Sequence, residues 1–222
     1  MEKYDLTDVP LFKGIEPQNI DNMLSCLDVR IRNYQKGEMI FREGDEAKYV
    51  GLVLEGCVQV VRDDFYGKRT ILTTVKEKQL FAETFSCAEV KTLPIGVYAK
   101  EDTKVMLLNC KRIIQSCSNA CMFHSMLIHN LLKIVVQKNL LLNNKIEIIS
   151  KKTTKEKIMA FLMAKAKECR SSTFIIEYDR QSLADYLGVE RSAMSAEISK
   201  LKRDGYIEVK NNHFHILKPF IV

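Results

Sequence analysis

Residues 180–205 read R-Q-S-L-A-D-Y-L-G-V-E-R-S-A-M-S-A-E-I-S-K-L-K-R-D-G, and this stretch predicts two short helices joined by a tight turn. Leu183, Ala184 and Leu187 give the first helix an apolar inward face. Gly188 stands where the chain must turn sharply, because glycine reaches a positive φ at little cost. The C-terminal part of the chain is therefore expected to fold around this turn.

The second helix of the pair is marked by Met194, Ile198 and Leu201, which recur at the spacing of one helix face. A small alanine before a turn glycine, with apolar residues locking two helices, is typical of a DNA-reading helix-turn-helix. An ordinary helical hairpin with a solvated second face is the alternative. The strand pattern around Asn211-Asn212, typical of a hairpin wing, favours the helix-turn-helix.

Composition bounds the class of protein. Of the 222 residues, 46% are hydrophobic and 28% are charged, which fits an ordinary protein of one or two domains. No apolar run reaches the roughly 18 residues that a bilayer span requires, and residues 1–10 are too polar for a signal peptide. We therefore expect no membrane association and a cytoplasmic location. The seven cysteines are scattered without a C-x-x-C pair and are interpreted as reduced, small apolar residues.

Charge is distributed unevenly along the chain. Residues 1–108 hold 15 basic and 18 acidic side chains, whereas residues 109–222 hold 19 basic and 10 acidic ones. A basic second half predicts that the C-terminal part meets a polyanion such as DNA.

Short β-rich runs alternate with glycine turns through residues 29–108. Strands of about four to six residues, spaced about 8–12 residues apart, indicate an antiparallel β-barrel of the double-stranded β-helix or jelly-roll type. The sequence thus predicts an α+β protein in three parts. These are a sensor β-barrel with a helical lead-in (residues 1–110), a long dimerisation helix with a hinge (111–150) and a winged helix-turn-helix domain (151–222).

The long helix carries apolar residues at heptad spacing on two faces. We expect one face to pack on the barrel and the other to pair with a second copy as a two-stranded coiled coil, giving a homodimer. The main stripe consists of Cys117, Cys121, His124, Ile128, Leu131, Val135 and Leu142. A second row consists of Leu127, Ile134 and Leu141.

Four motifs now resemble one known family, the CRP/FNR transcription regulators of bacteria. They are K-G-E-M-I-F-R-E-G-D (36–45), V-L-E-G-C-V-Q-V (53–60), F-A-E (81–83) and R-Q-S-L-A-D-Y-L-G-V-E-R-S-A-M-S (180–195). The resemblance implies a homodimer that binds palindromic double-stranded DNA and is controlled by a small effector in the barrel. It also implies contact with RNA polymerase if the protein is an activator. Activation or repression stays open.

The resemblance breaks at the cyclic-AMP cassette. Members that bind cyclic AMP have Gly-Glu followed about ten residues later by Arg-Ser, whereas this chain has Ala82-Glu83 and Leu93-Pro94. An apolar pair cannot neutralise a phosphate, so we predict an effector that is less anionic or apolar. The resemblance implies a pocket lined by Glu83, Thr84, Leu93, Pro94, Ile95, Val97, Leu142 and Asn143.

A haem, metal or thiol sensor is the alternative input. Cys117, Cys121 and His124 could share a helix face, although buried stripe residues are the simpler interpretation. Iron–sulfur sensing in the family uses an N-terminal cysteine cluster, and Cys26 alone precedes Cys57 here. We therefore assign no cofactor and no metal, and we interpret the histidines of His213-x-His215 as residues of an exposed wing strand.

The family resemblance assigns the reading residues. Arg191 matches the arginine that binds guanine O6 and N7, Ser192 stands where many members have a cytosine-reading glutamate, and Ala196 replaces a second arginine. Base specificity is therefore expected to be relaxed or moved to Ser195 or Ser199. The candidate phosphate contacts are Arg180, Gln181, Ser199, Lys200, Lys202 and Arg203.

Two other classes of function fit the sequence less well. A cupin-type metal enzyme would start from the same barrel, but it needs clustered histidines and residues 29–108 contain none. An effector-binding module that contacts a protein partner without binding DNA would lack a helix-turn-helix. The sequence therefore favours a DNA-binding regulator that is not an enzyme.

Overall fold

The computed structural model describes residues 5–63, 65–66, 69–114 and 122–218. It divides into two compact units, Met1–Gln137 and Lys138–Val222. The helices are α1 (Pro17–Cys26), α2 (Glu83–Cys87), α3 (Cys110–Ile114), α4 (Met122–Ile149), α5 (Thr154–Cys169), α6 (Arg180–Leu187) and α7 (Arg191–Arg203). The strands are β1 (Arg30–Tyr34), β2 (Met39–Phe41), β3 (Tyr49–Glu55), β4 (Cys57–Asp63), β5 (Arg69–Lys76), β6 (Leu80–Phe81), β7 (Gly96–Ala99), β8 (Thr103–Asn109), β9 (Thr173–Ile175), β10 (Ile207–Lys210) and β11 (His213–Ile216).

The first unit is built on two four-stranded sheets. Their strand orders are β1-β8-β3-β6 and β2-β7-β4-β5, and the paired strands are antiparallel. Short strands joined by tight turns leave no room for crossover helices, which is why the pairing is antiparallel. The predicted α+β class with antiparallel sheets is confirmed.

Strand β8 shows how the two cores of this unit are separated. Val105 and Leu107 lie in a core that receives side chains from both sheets, whereas Met106 and Leu108 lie in a second core. Successive side chains of a strand point to opposite faces. The strand is therefore apolar on both sides because both of its faces are buried.

The second core joins the outer face of one sheet to the N-terminal segment and to α4. Leu127 and Leu131 of α4 are buried in it. The Asn130 side-chain amide donates hydrogen bonds to the carbonyl oxygens of Leu11 at 3.0 Å and of Lys13 at 2.9 Å. These bonds fix the N-terminal segment on α4 within the first unit.

The helical lead-in predicted for residues 4–27 is a short 3₁₀ helix at Pro10–Phe12 followed by α1. Pro17 is the first residue of α1, where its missing N–H and fixed φ suit a helix start.

Helix α4 departs from the predicted dimer stripe. His124 and Leu131 are buried, Ile128 and Val135 are half-buried, and Leu142 is 60% exposed. At 100° per residue these positions stay on one side of the helix, so the change in burial follows the axis of α4: the buried and half-buried residues belong to the first unit, whereas Leu142 belongs to the second. The exposed apolar side chains of α4 are Leu132, Val136, Leu140, Leu141, Leu142, Ile146 and Ile149. Cys117 and Cys121 lie outside the described residues.

Length and apolarity sufficient to cross a membrane are not combined in any helix of the described ranges.

The second unit contains α5, α6 and α7 with a three-stranded sheet of order β10-β11-β9. Helix α5 begins with a capping box, in which Thr153 Oγ1 accepts from the Glu156 N–H at 3.2 Å and Glu156 Oε2 accepts from the Thr153 N–H at 3.1 Å. This reciprocal pair satisfies two donors at the helix start. The core of the unit is formed by apolar side chains of all three helices and the sheet.

Candidate nucleic-acid interface

The predicted pair of helices with a tight turn is confirmed as α6 and α7. Asp179 caps α6, since its carboxylate accepts a hydrogen bond from the Ser182 N–H at 2.7 Å. The helix ends at Gly188, which has φ +62°. The Val189 N–H then donates to the Ala184 carbonyl oxygen at 3.0 Å and closes the turn. Glycine takes this left-handed conformation without the steric cost that other residues pay.

The inward face of α7 anchors it in the second unit. Met194, Ile198 and Leu201 are buried in the same core as Leu183 and Leu187 of α6. Packed side chains at this spacing leave the helix little freedom to rotate about its axis. The outward face of α7 is therefore held in one orientation relative to α6.

The four base-reading candidates lie together in the first two turns of α7, with Arg191 at its first residue. Arg191, Ser192 and Ala196 are exposed, and Ser195 is half-buried. At 100° per residue the four positions span about 140° of the helix surface. The structure thus brings the predicted reading residues onto one side of the first two turns of α7.

Asp179 links the start of α6 to the start of α7. Hydrogen bonds from Ser182 hold the pKa of the Asp179 carboxyl below its usual value, and the positive charge of Arg191 adds to the shift. The cap therefore supplies a negative charge near the principal reading residue. Sequence reasoning missed this role, although aspartate directly before a helix is a common N-cap signal.

Most of the phosphate candidates are exposed. Ser199, Lys200, Lys202 and Arg203 extend the outward face of α7 toward its C-terminus, and Gln181 lies on α6. The Ser199 hydroxyl donates to the carbonyl oxygen of Ser195 at 2.9 Å, and the Gln181 amide donates to Asp185 Oδ1 at 2.9 Å. The lysines and Arg203 line one edge of the candidate interface.

Arg180 differs from the other phosphate candidates because it is half-buried. Its Nη2 donates to the carbonyl oxygen of Asn211 at 3.2 Å, and its guanidinium carbon lies 5.4 Å from the centre of the Phe214 ring. Nη1 is buried and has no hydrogen-bond partner among the described residues. Burial lowers the pKa of this guanidinium. Arg180 therefore connects α6 to the wing, a role that sequence reasoning missed.

The wing is the predicted hairpin with an Asn-Asn turn, and it is confirmed. Strands β10 and β11 pair with Lys210 opposite His213, and Asn211 adopts φ +56° in the turn. His213 and His215 lie on the same face of β11, opposite the buried Phe214. His215 Nδ1 lies 3.6 Å from Glu208 Oε2 on the neighbouring strand.

The candidate effector region lies in the first unit, where α2 follows β6. Ala82 adopts φ +61°, the backbone conformation that glycine takes most easily, and Glu83 is buried. Ala82, which stands at the position of the glycine in the resembled cassette, thus adopts the left-handed conformation that favours glycine.

The other pocket candidates fall in different environments. Leu93, Ile95 and Val97 are brought together as fully buried members of the core that both sheets share. Thr84 and Pro94 are exposed. Leu142 and Asn143 are exposed residues of the second unit, where the Asn143 amide donates to Asn139 Oδ1 at 2.8 Å. Helix α4 carries the alternative sensor residue His124, whose Nε2 lies 3.0 Å from the carbonyl oxygen of Arg112.

Comparison with known proteins supports both halves of this description. Residues 31–119 match the family model of the cyclic nucleotide-binding domain, and residues 156–219 match that of the Crp-like helix-turn-helix domain. The cyclic AMP receptor protein of Thermus thermophilus is 22% identical over 200 residues, which cover 90% of this chain and 88% of that protein. The transcriptional activator protein anr of Pseudomonas aeruginosa is 23% identical over 193 residues, which cover 85% and 77% of the two chains.

A solved structure shows the same fold. The c-di-GMP responsive global regulator CLP of Xanthomonas campestris aligns with a TM-score of 0.59 and 18% identity, over 91% of this chain and 100% of that one. A helix-turn-helix of the Crp type thus follows a cyclic nucleotide-binding domain in one chain, as in transcription regulators of this kind. The protein belongs to the CRP/FNR family of transcription regulators.

Proposed function

We propose that this regulator acts as a homodimer in the cytoplasm and reads a palindromic DNA site with the outward face of α7. The observation that carries the proposal is the arrangement of that helix. Arg191, Ser192 and Ala196 are exposed in its first two turns, Met194, Ile198 and Leu201 are buried in the core, and a hairpin wing follows in the same unit. Two such helices in a two-fold dimer would enter successive major grooves about 34 Å apart.

Arg191 carries most of the base discrimination in this proposal. An arginine at the start of a recognition helix can bind guanine O6 and N7 with two hydrogen bonds, worth roughly 1–3 kcal/mol of discrimination. Ser192 and Ser195 offer single hydroxyl groups, which accept or donate and so read bases less strictly. Ala196 offers a methyl group, which suits contact with the methyl group of thymine.

The remaining polar residues position the protein on the duplex. Lys200, Lys202, Arg203, Ser199 and Gln181 are exposed and would contact phosphates, which fix register without specifying sequence. Arg180 would act mainly by holding the wing turn, because its guanidinium is already engaged with Asn211 and Phe214.

The test compares Arg191→Ala with the natural chain on a site selected from random DNA and on a scrambled duplex. We expect the variant to bind the selected site about 10- to 100-fold more weakly, since the lost contact is worth 1–3 kcal/mol. Binding to the scrambled duplex should change much less. Fluorescence anisotropy at fixed salt measures both affinities.

Arg42→Ala is the matched control, because it removes an equal charge from an exposed position in the first unit. It should leave both affinities unchanged. Equal weakening of specific and scrambled binding by Arg191→Ala would contradict the assignment of Arg191 to base reading.

We also propose that the effector is not cyclic AMP. Leu93 is fully buried and Pro94 has no donor, so the positions of the family Arg-Ser pair offer no partner for a cyclic phosphate. We expect calorimetric titration with cyclic AMP to detect no micromolar binding. A micromolar dissociation constant would contradict this part of the proposal.

The proposal assigns the chain a regulatory role without catalysis, and contact with RNA polymerase where it activates transcription. A haem or metal sensor at His124 is less favoured, because its Nε2 is engaged with the Arg112 carbonyl oxygen.

A further inference from the structure

Two cysteines that are 23 residues apart in sequence meet in the first unit. Cys87 ends α2 and Cys110 begins α3, and their Sγ atoms are 3.1 Å apart. This separation is about 1 Å longer than the sulfur–sulfur bond of a disulfide. Neither cysteine belongs to a sequence motif, so their proximity is a product of the fold.

We propose that Cys87 and Cys110 form a modification site for hydroperoxides, at which oxidation joins the two thiols in a reversible intramolecular disulfide. The substrate class is a small peroxide such as hydrogen peroxide. The product ties α2 to α3 within the first unit.

The backbone around the pair holds both thiols in place. The Ser86 hydroxyl, next to Cys87, donates to the carbonyl oxygen of Tyr49 at 2.8 Å. The Cys110 N–H donates to the carbonyl oxygen of Lys48 at 3.0 Å. The two helices are therefore anchored to neighbouring residues, α2 to Tyr49 at the start of β3 and α3 to Lys48 just before it. The sulfur atoms therefore need to approach each other by only about 1 Å to reach bonding distance.

The two thiols have different environments, and this difference indicates which of them reacts with the peroxide first. Cys87 is half-buried, and the hydrogen bond from the Cys110 thiol lowers its pKa. Cys110 is 1% exposed, and its hydrogen bond to Cys87 together with burial raises its pKa. Because the thiolate is the nucleophile, Cys87 attacks the peroxide and Cys110 resolves the product.

The reaction has two steps. The Cys87 thiolate attacks one peroxide oxygen, the O–O bond breaks, a sulfenic acid forms, and the other oxygen leaves as hydroxide and takes up a proton to become water. The Cys110 sulfur then attacks the sulfenic sulfur, the S–O bond breaks, and the departing hydroxide takes the Cys110 proton as a second water. Two thiols lose two electrons in total, and the peroxide is reduced to two waters. A thiol such as glutathione reverses the bond by exchange.

The position of the disulfide connects it to the proposed function. The first residue of α2 is Glu83, a candidate effector residue. On that proposal, oxidation would constrain the helix that carries this residue, so the peroxide would act as a second input to the regulator. The chemistry at the thiols does not depend on DNA binding, and the test therefore separates the two.

The test treats the reduced natural chain with hydrogen peroxide, blocks the remaining thiols and maps the peptides by mass spectrometry without reductant. We expect a linked pair of peptides containing Cys87 and Cys110, lighter by about 2 Da than the sum of the free peptides. The yield should not depend on protein concentration, and dithiothreitol should abolish the link. Free Cys87 and Cys110 in a chain oxidised at Cys26 or Cys169 would overturn the proposal.

Three variants test the order of the two steps. Cys110→Ser should stop at the sulfenic acid of Cys87, which dimedone labels, whereas Cys87→Ser should leave Cys110 unlabelled. If dimedone labelled Cys110 in Cys87→Ser as fast as it labels Cys87 in Cys110→Ser, the assigned roles would be overturned. Cys169→Ser is the control, because it removes an exposed cysteine and should still form the Cys87–Cys110 link. If Cys110→Ser fails to fold, peptide mapping of the natural chain still decides the proposal.

Discussion

At the scale of single residues, Arg180 and Arg191 show how two arginines of one motif come to differ. Arg191 is exposed, whereas Arg180 is half-buried against Phe214 and bonded to the Asn211 carbonyl oxygen. Nη1 of Arg180 is buried and has no partner among the described residues, so the bond to Asn211 is the one hydrogen bond found for this guanidinium in that part of the chain. Arg180 therefore holds the wing against α6 whether or not DNA is bound.

We predict that Arg180→Ala lowers both stability and DNA affinity. Loss of the bond to Asn211 and of the ring contact should destabilise the protein by about 1 kcal/mol and lower its melting temperature by a few degrees. The wing turn would then be free of its link to α6, so specific binding should weaken as well. Thermal unfolding and anisotropy measure the two effects.

Gln181→Ala is the control for this prediction, because Gln181 is exposed and bonds only across the surface of α6 to Asp185. It should affect binding without changing the melting temperature. An unchanged melting temperature in Arg180→Ala would instead support a simple phosphate contact for Arg180.

This difference between the two arginines could not be predicted from the sequence. The i, i+3, i+7 spacing puts Arg191 on the same side of α7 as Met194 and Ile198, and its exposure follows instead from its place as the first residue of the helix, directly after the turn. The environment of Arg180 depends on Phe214, which is distant in sequence and approaches only because β11 packs in the core of the second unit. The contact between Cys87 and Cys110 escaped prediction for the same reason.

At the scale of elements, strand β3 contains a glycine that the packing requires. Gly51 pairs with Phe81 of β6, and the Phe81 ring lies directly against the position that a side chain at residue 51 would occupy. Phe81 is itself buried and lies 5.6 Å from the ring of Phe41. The ring cannot move aside without disturbing the core.

We predict that Gly51→Ala destabilises the protein by about 1–3 kcal/mol, the usual cost of forcing an extra group into a packed core. Urea unfolding followed by circular dichroism measures the change. The double variant Gly51→Ala with Phe81→Leu should recover part of the loss, since the smaller side chain vacates the space. No recovery, or a neutral Gly51→Ala, would show that the ring and the glycine are not coupled.

Elements differed in how well the sequence predicted them. The helices α6 and α7 and the wing carry a clear apolar period, a turn glycine and an Asn-Asn turn, and the structure has each of them. For α4 the apolar period predicted the helix but not its faces. Leu131 is buried in the second core while its neighbour Leu132 is exposed, and Leu142, on the same side of the helix as the buried His124, is exposed as well.

At the scale of the whole molecule, the two units share the long helix α4, which begins in the first and ends in the second. Three of its exposed apolar side chains, Leu132, Val136 and Leu140, follow one another at i, i+4 and i+8, and scattered exposure does not explain such a row. Two copies of α4 packed against each other would bury this row as a coiled coil. Dimerisation would also bring two DNA-reading helices together, as palindrome reading requires.

Leu132→Glu tests this role of α4. Leu132 is 58% exposed, so a single chain should tolerate the glutamate, but a two-fold axis would bring two like charges together in an apolar seam. We predict that the variant sediments as a monomer at concentrations where the natural chain is a dimer. Its affinity for the palindromic site should fall at least about 100-fold, because each chain then binds one half-site without the other.

Val90→Glu separates the effect of α4 from that of adding a charge to an exposed apolar position. Val90 is 39% exposed and belongs to the first unit but not to α4. This variant should therefore remain dimeric and bind DNA as the natural chain does. A Leu132→Glu chain that stays dimeric would place the dimer contact on another surface. A monomeric chain that kept full affinity for the palindrome would show instead that reading the site does not need two linked copies.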